Sequence, residues 1–207
     1  GRKAKEWQLD QRTCDCCQTD AALTDQGPIV IYRDRDANEI RDIYTSRYTG
    51  NDWTLGTAVA RDDWKMPACP VNGPAISANS HSVWAAWYTA AKDVPGVRLA
   101  HSNNSGENFK QVKTIATGEH IQGRVDVVSD KQGAWLLWAE ENQSQSLWLQ
   151  HFDAKMNASG KPVKIARLQG RGRATGFAKM QLTPKGLYLV WTDIANGKPA
   201  VQGALIK

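Results

Sequence analysis

Four short apolar runs, each closed by an aromatic residue, recur at nearly constant spacing, and this repeat limits what the chain can fold into. They are Ile29-Val30-Ile31-Tyr32, Val83-Trp84-Ala85-Ala86-Trp87, Ala134-Trp135-Leu136-Leu137-Trp138 and Leu187-Tyr188-Leu189-Val190-Trp191. The closing aromatics lie 55, 51 and 53 residues apart. The runs are short, rich in β-favouring residues and bounded by turn residues, so they read as strands buried on both faces.

Each run is preceded by a short strand, beginning at Cys17, Gly73, Gly123 and Gly176. A third strand follows at 40–47, 97–101, 147–152 and 200–205. A fourth follows in three of the repeats, at 53–60, 109–116 and 162–168. No segment shows the 3.6-residue patterning of an amphipathic helix. Tandem units of four antiparallel strands over about 50 residues are the blades of a β-propeller.

The expected fold is therefore all-β, one propeller domain over residues 1–207, with repeats at 14–60, 69–116, 120–168 and 173–207. Lys5-Glu6-Trp7-Gln8-Leu9 reads as an orphan outer strand. Two arrangements accommodate it. It pairs with the last repeat and closes a four-bladed ring, leaving no bare edge. Alternatively, it ends a blade of a larger ring, for example a six-bladed one, completed by further blades or a partner chain. Nine Trp against three Phe suit stacked sheets, where wide rings fill the space between blades.

Composition removes some function classes. The net charge of +5 is modest, and its one local cluster, from Lys161 to Arg173, lacks the interleaved aromatics of a nucleic-acid groove. No apolar run approaches the ~18 residues of a membrane span.

The turn Ser102-Asn103-Asn104-Ser105-Gly106-Glu107-Asn108-Phe109 resembles the Asp box, Ser-x-Asp-x-Gly-x-x-Trp, with Asn104 and Phe109 substituted. Ser46, Gly50 and Trp53 fall on the same offsets in the first repeat. Further stretches carry the resemblance: Cys14-Asp15-Cys16-Cys17-Gln18-Thr19, Tyr32-Arg33-Asp34-Arg35, Glu39-Ile40-Arg41-Asp42-Ile43-Tyr44 and Cys69-Pro70-Val71-Asn72-Gly73-Pro74. Together they resemble the sialidase-like (Asp-box, BNR-repeat) propellers of bacterial exported proteins. The resemblance implies more sequence upstream, a periplasmic or cell-surface location, and an anionic glycan or similar ligand bound at the central-channel rim.

Sialidase chemistry uses several guanidiniums to hold a substrate carboxylate, a Tyr nucleophile and an Asp acid/base. Transferred to this chain, the resemblance points to Arg33, Arg35, Arg41 and Arg124 as a clamp, Asp34 and Asp126 for acid/base work, and Tyr88 or Tyr44 as nucleophile. The bland alternative is that Arg33-Asp34-Arg35-Asp36 is a self-satisfied ion-pair ladder.

A different class of function rests on the cysteines. Cys14, Cys16 and Cys17 precede the first inner strand, and Cys69 enters the neighbouring repeat on the same face. Four thiolates there, with His120 adding a nitrogen, would suit copper or zinc. In an oxidising compartment the same residues form disulfides. A third reading is a pure protein-interaction scaffold.

Overall fold

The computed structural model describes residues 1–207. Hairpin chemistry turns each repeat into a meander. The first contains β1 (Asp20–Thr24), β2 (Gly27–Arg33), β3 (Ile43–Arg47) and β4 (Thr57–Ala60). The second contains β5 (Ala75–Asn79), β6 (Ser82–Thr89), β7 (Gly96–Ser102) and β8 (Gln111–Thr117). The third contains β9 (Ile121–Ser129), β10 (Gly133–Glu141), β11 (Gln145–Asp153) and β12 (Val163–Arg167). The fourth stops at three strands: β13 (Lys179–Thr183), β14 (Gly186–Ala195) and β15 (Lys198–Ile206). Strand order follows chain order in every sheet, as a propeller blade requires. Asn196-Gly197, both at positive φ (52° and 73°), make the tight turn between β14 and β15.

The repeats are equivalent in register as well as in sequence. The third and fourth strands shift register between Ile43 and Tyr44, between Val97 and Arg98, and between Leu147 and Trp148. Those pairs occupy matching positions opposite Tyr32, Trp87 and Trp138. A bulge kept at one place in three repeats sets the same local bend in each blade.

Side chains on the inner strands stitch neighbouring blades together. Asp20 and Asp126 stand at the same repeat position, opposite Ile31 and Leu137. Each carboxylate accepts a backbone N–H of the next blade, Asp20 from Ile76 at 3.0 Å and Asp126 from Met180 at 2.6 Å. In the second blade that position is Ala75, and the Ser77 hydroxyl accepts from the Ser129 N–H instead. Between the blades lie three apolar cores, centred on Trp87, on Trp84 and Trp138, and on Leu149 and Leu189.

Lys5–Leu9 corrects the expectation of an orphan strand: residues 1–10 have no regular secondary structure. Trp7 instead packs edge-on against Tyr48 and Trp53, and Tyr32 donates to Asp10 at 2.8 Å, so this segment lies over the first blade. Aromatic packing wins because five residues with three polar side chains gain little from a lone ladder. Tyr188, Val190 and Val201 on the last blade are exposed.

At one end of the sheets, the Ser102–Phe109 turn is tied as its sequence implies. The Ser102 hydroxyl accepts from the N–H groups of Asn104 and Gly106, and Gly106 adopts φ 76°. At the opposite end open the loops between β4 and β5, β6 and β7, and β12 and β13. They build the site.

Candidate functional site

The segment Cys69-Pro70-Val71-Asn72-Gly73 is held from several sides. A disulfide joins Cys69 to Cys16. The Asn72 side chain donates to the Gln122 carbonyl at 3.2 Å and accepts from the Arg124 N–H at 3.0 Å. Gly73 lies so close to Gln18 that any side chain would collide with its backbone. Between these anchors Val71 is forced to φ 55°, an outlier for a β-branched residue.

Arg33 supplies the next anchor from beneath. It is fully buried, and its guanidinium donates to three backbone carbonyls: Asn72 at 2.9 Å, Arg41 at 2.6 Å and Tyr88 at 2.6 Å. The same group lies 4.9 Å from the Trp64 ring. Burial pushes its pKa down to about 10, against the pull of Asp62 and Asp42, so it stays charged at neutral pH. The buried Asp42 carboxylate accepts from the N–H groups of Asp63 and Trp64 at 3.1 and 3.2 Å and fixes that turn.

The surface above these anchors is a cleft with two lobes that meet at Pro70 and Asn72. The aromatic lobe, about 580 Å³, is walled by Trp64 and Tyr88, whose rings meet edge-on at 5.7 Å, and is edged by Asp63, Lys65, Lys92 and Asp93. The basic lobe, about 350 Å³, is lined by Gln122, Arg124, Arg173 and Phe177. Five of the ten non-glycine residues at positive φ line the two lobes: Asp63, Val71, Lys92, Asp93 and Arg124. Strain of this kind persists only where surrounding contacts over-determine the backbone, and it concentrates at ligand sites.

The four expected clamp arginines do not meet in one pocket. Arg33 is consumed by carbonyls. Arg35 and Arg41 both bind Glu39, at 2.9 and 3.1 Å, and Arg12 joins them at 2.7 Å. The arginines are ion-paired here, but to Glu39 and not within Arg33-Asp34-Arg35-Asp36. Arg33 binds carbonyls and Asp36 accepts the N–H groups of Asn38 and Ile40, which corrects the ladder reading. Arg124 alone reaches the cleft, braced by Thr175 at 2.6 Å and by the carbonyls of Gly176 and Gly172 at 3.0 and 2.5 Å. Burial lowers its pKa.

Hydrogen bonds from Arg35 hold the Glu39 carboxyl down to about 2. Its folded pKa lies below the unfolded one, so its contribution is present at neutral pH and is lost as pH falls toward 2. An NMR titration of the Glu39 carboxyl is expected to show a midpoint near 2. A midpoint at the ordinary glutamate value would dissolve the cluster.

The expected catalytic trio is likewise dispersed. Tyr88 stands in the aromatic lobe, its phenol pushed upward by burial. Asp126 is buried under the last two blades, paired with Lys179 at 2.9 Å, and burial raises its pKa. Asp34 faces Asp10 and Asp42, also raised by burial, and lines neither lobe. Tyr44 packs against Tyr32.

The cysteines do gather, as disulfides Cys14–Cys17 and Cys16–Cys69. His120 is not with them: it lies 3.9 Å from Glu140 in the third repeat, outside the sulfur cluster.

Trp64, Asn72 and the Asp63 and Asp93 carboxylates are absent from the sequence-based set. The signal for Asn72 was present in Cys69-Pro70-Val71-Asn72-Gly73-Pro74, a stretch dense in residues that constrain backbone.

No protein-family model matches the chain, and no curated protein is similar to it in sequence. In fold it is similar to solved glycoside hydrolases. An endo-arabinase from Bacteroides thetaiotaomicron matches at 12% identity and TM-score 0.53, over 86% of this chain and 70% of that one. A family-43 endo-arabinanase from Bacillus licheniformis matches at 14% and 0.53, over 90% and 70%. A family-32 β-fructofuranosidase from Bombyx mori matches at 11% and 0.56, over 88% and 44%. At such identities the similarity establishes a shared propeller fold.

Proposed function

We propose that the two-lobed cleft binds an anionic glycan, a sugar ring resting on Tyr88, which the buried Trp64 buttresses, while its carboxylate faces Arg124 and Arg173. The observation that carries this reading is the concentration of strained backbone around the cleft, where Val71 and four polar residues are held at positive φ. Aromatic walls beside polar groups of both signs suit a ligand with an apolar ring face and many hydroxyls. No carboxylate lines the basic lobe itself, so Arg124 and Arg173 face an acidic group there, with Glu141 acting on Arg124 from outside the lobe. The glycoside hydrolases that share this fold support a carbohydrate ligand in general terms; the acidic sugar rests on this chain's own arginines and on its sialidase-like stretches. Two disulfides favour an oxidising location, the periplasm or cell surface.

The test is an array of acidic and neutral oligosaccharides, followed by calorimetry on each ligand captured. Acidic glycans are expected to bind, with affinity reduced about tenfold or more in Trp64→Ala and in Arg173→Ala, roughly 1.4 kcal/mol each. Absence of any captured glycan, or binding indifferent to Trp64→Ala, sinks the reading.

Hydrolysis is a second reading, favoured by one observation: Asp63 and Asp93 share the aromatic lobe with Tyr88. Release of fluorophore from a 4-methylumbelliferyl sialoside, abolished by Tyr88→Phe, is its expected result. No release leaves binding as the function.

A further inference from the structure

The cysteine cluster contains a feature that stapling does not need. Arg41 is buried, with a side chain 4% exposed, yet its Nη1 points at Cys14 Sγ from 3.2 Å, and its Nε has no partner. A disulfide sulfur is a poor acceptor for a guanidinium; a thiolate is a strong one. The ligand atoms of Cys14, Cys16 and Cys17 lie within 4.8 Å of one another, and Cys14 and Cys16 are 3.7 Å apart although not bonded to each other. Three thiolates around one ion, at about 2.3 Å each, stand roughly 4 Å apart.

We propose that, once reduced, Cys14, Cys16 and Cys17 bind one soft monovalent cation of the Cu(I) class, with Cys69 available as a fourth thiolate and Arg41 as charge partner. Thiolate ligands select soft ions. Charge selects the monovalent one. Arg12, Arg35 and Arg41 share the single carboxylate of Glu39, and Arg41 reaches the Cys14 sulfur directly. The guanidinium at the sulfur offsets part of the negative charge that a tris-thiolate centre keeps with a monovalent ion and that a divalent ion would itself cancel.

Reduction begins from solvent, because Cys69 is exposed. A dithiol attacks the Cys16–Cys69 bond, a second attacks Cys14–Cys17, and each leaves as a cyclic disulfide after delivering two electrons and two protons. Four thiols result. Binding of the ion by three of them releases three protons, and copper stays in the +1 state.

The experiment uses the full chain, reduced with dithiothreitol, freed of it under anaerobic conditions, and titrated with Cu(I) against the chelator bicinchoninate. Ultraviolet charge-transfer absorption reports binding and circular dichroism reports the fold. One equivalent per chain is expected, with affinity lowered about 100-fold by Cys14→Ser, about tenfold by Arg41→Met, and unchanged by His120→Ala. A parallel Zn(II) titration is expected to bind more weakly, and Arg41→Met to narrow that gap. The proposal is overturned by uptake no greater than in Cys14→Ser, by Zn(II) binding as tight as Cu(I), by an effect of His120→Ala, or by unfolding on reduction that Cu(I) does not reverse.

Discussion

Arg33→Met is expected to destabilise the protein by about 3–5 kcal/mol, the cost of removing one member of a buried charged network. Three carbonyls, those of Asn72, Arg41 and Tyr88, lose their donor at once, and Asp42 and Asp62 lose the nearby positive charge. Methionine fills most of the volume, so the loss is polar, not a cavity. For a chain of this size each kcal/mol moves the midpoint of thermal unfolding by about 2–4 °C, giving a fall of roughly 10 °C. Arg33→Lys keeps the charge but replaces a planar fork with a single ammonium, and should recover part of that loss. Thermal melts followed by circular dichroism measure both. A melt of Arg33→Met within two or so degrees of the parent would show that Arg33 does not hold the cleft together.

Trp87→Ala should cost a similar amount, about 3–5 kcal/mol, for a different reason. Trp87 is wholly buried in the core between the first two blades, so truncation leaves a large cavity. Its Nε1–H also donates to Asp62 at 2.7 Å, and the Asp62 side chain is only 3% exposed. Trp87→Phe separates the two effects. It keeps most of the packing and removes one hydrogen bond to a charged acceptor, worth about 1.5–3 kcal/mol. Arg98, 2.9 Å from Asp62, limits that damage. Trp191 closes the last repeat at the matching position and packs at the margin of the core between the third and fourth blades, where it is only half-buried. Trp191→Ala should therefore cost less than half as much. Urea unfolding of the three variants decides the matter, and equal losses at Trp87 and Trp191 would refute the idea that depth of burial between blades sets the value of the closing aromatic.

The same contrast shows how much of the fold was legible beforehand. Alternation of apolar residues and turn punctuation are local, so the four repeats and the closing aromatics could be read directly. Lys5–Leu9 could not, since five residues pair or pack according to what lies beside them, and here Tyr48 and Trp53 lay beside Trp7. The repeat alignment did bring the right loops to one end. It could not say which polar residues in those loops remain available.

By itself, then, the sequence determined the all-β architecture, the blade period and the gathering of Cys14, Cys16, Cys17 and Cys69 at one rim. These follow from period-two patterning and from the equivalence of repeats, which act over a few residues or one blade. Only the tertiary structure decided that Arg33 faces inward to bind carbonyls 39 and 55 residues away, at Asn72 and Tyr88. It also decided that Arg35 and Arg41 neutralise Glu39, and that the open cleft belongs to Trp64, Tyr88, Arg124 and Arg173. A guanidinium goes to whichever acceptors can compensate its lost water, and those acceptors come from two separate loops and the end of β6. No local spacing encodes that choice.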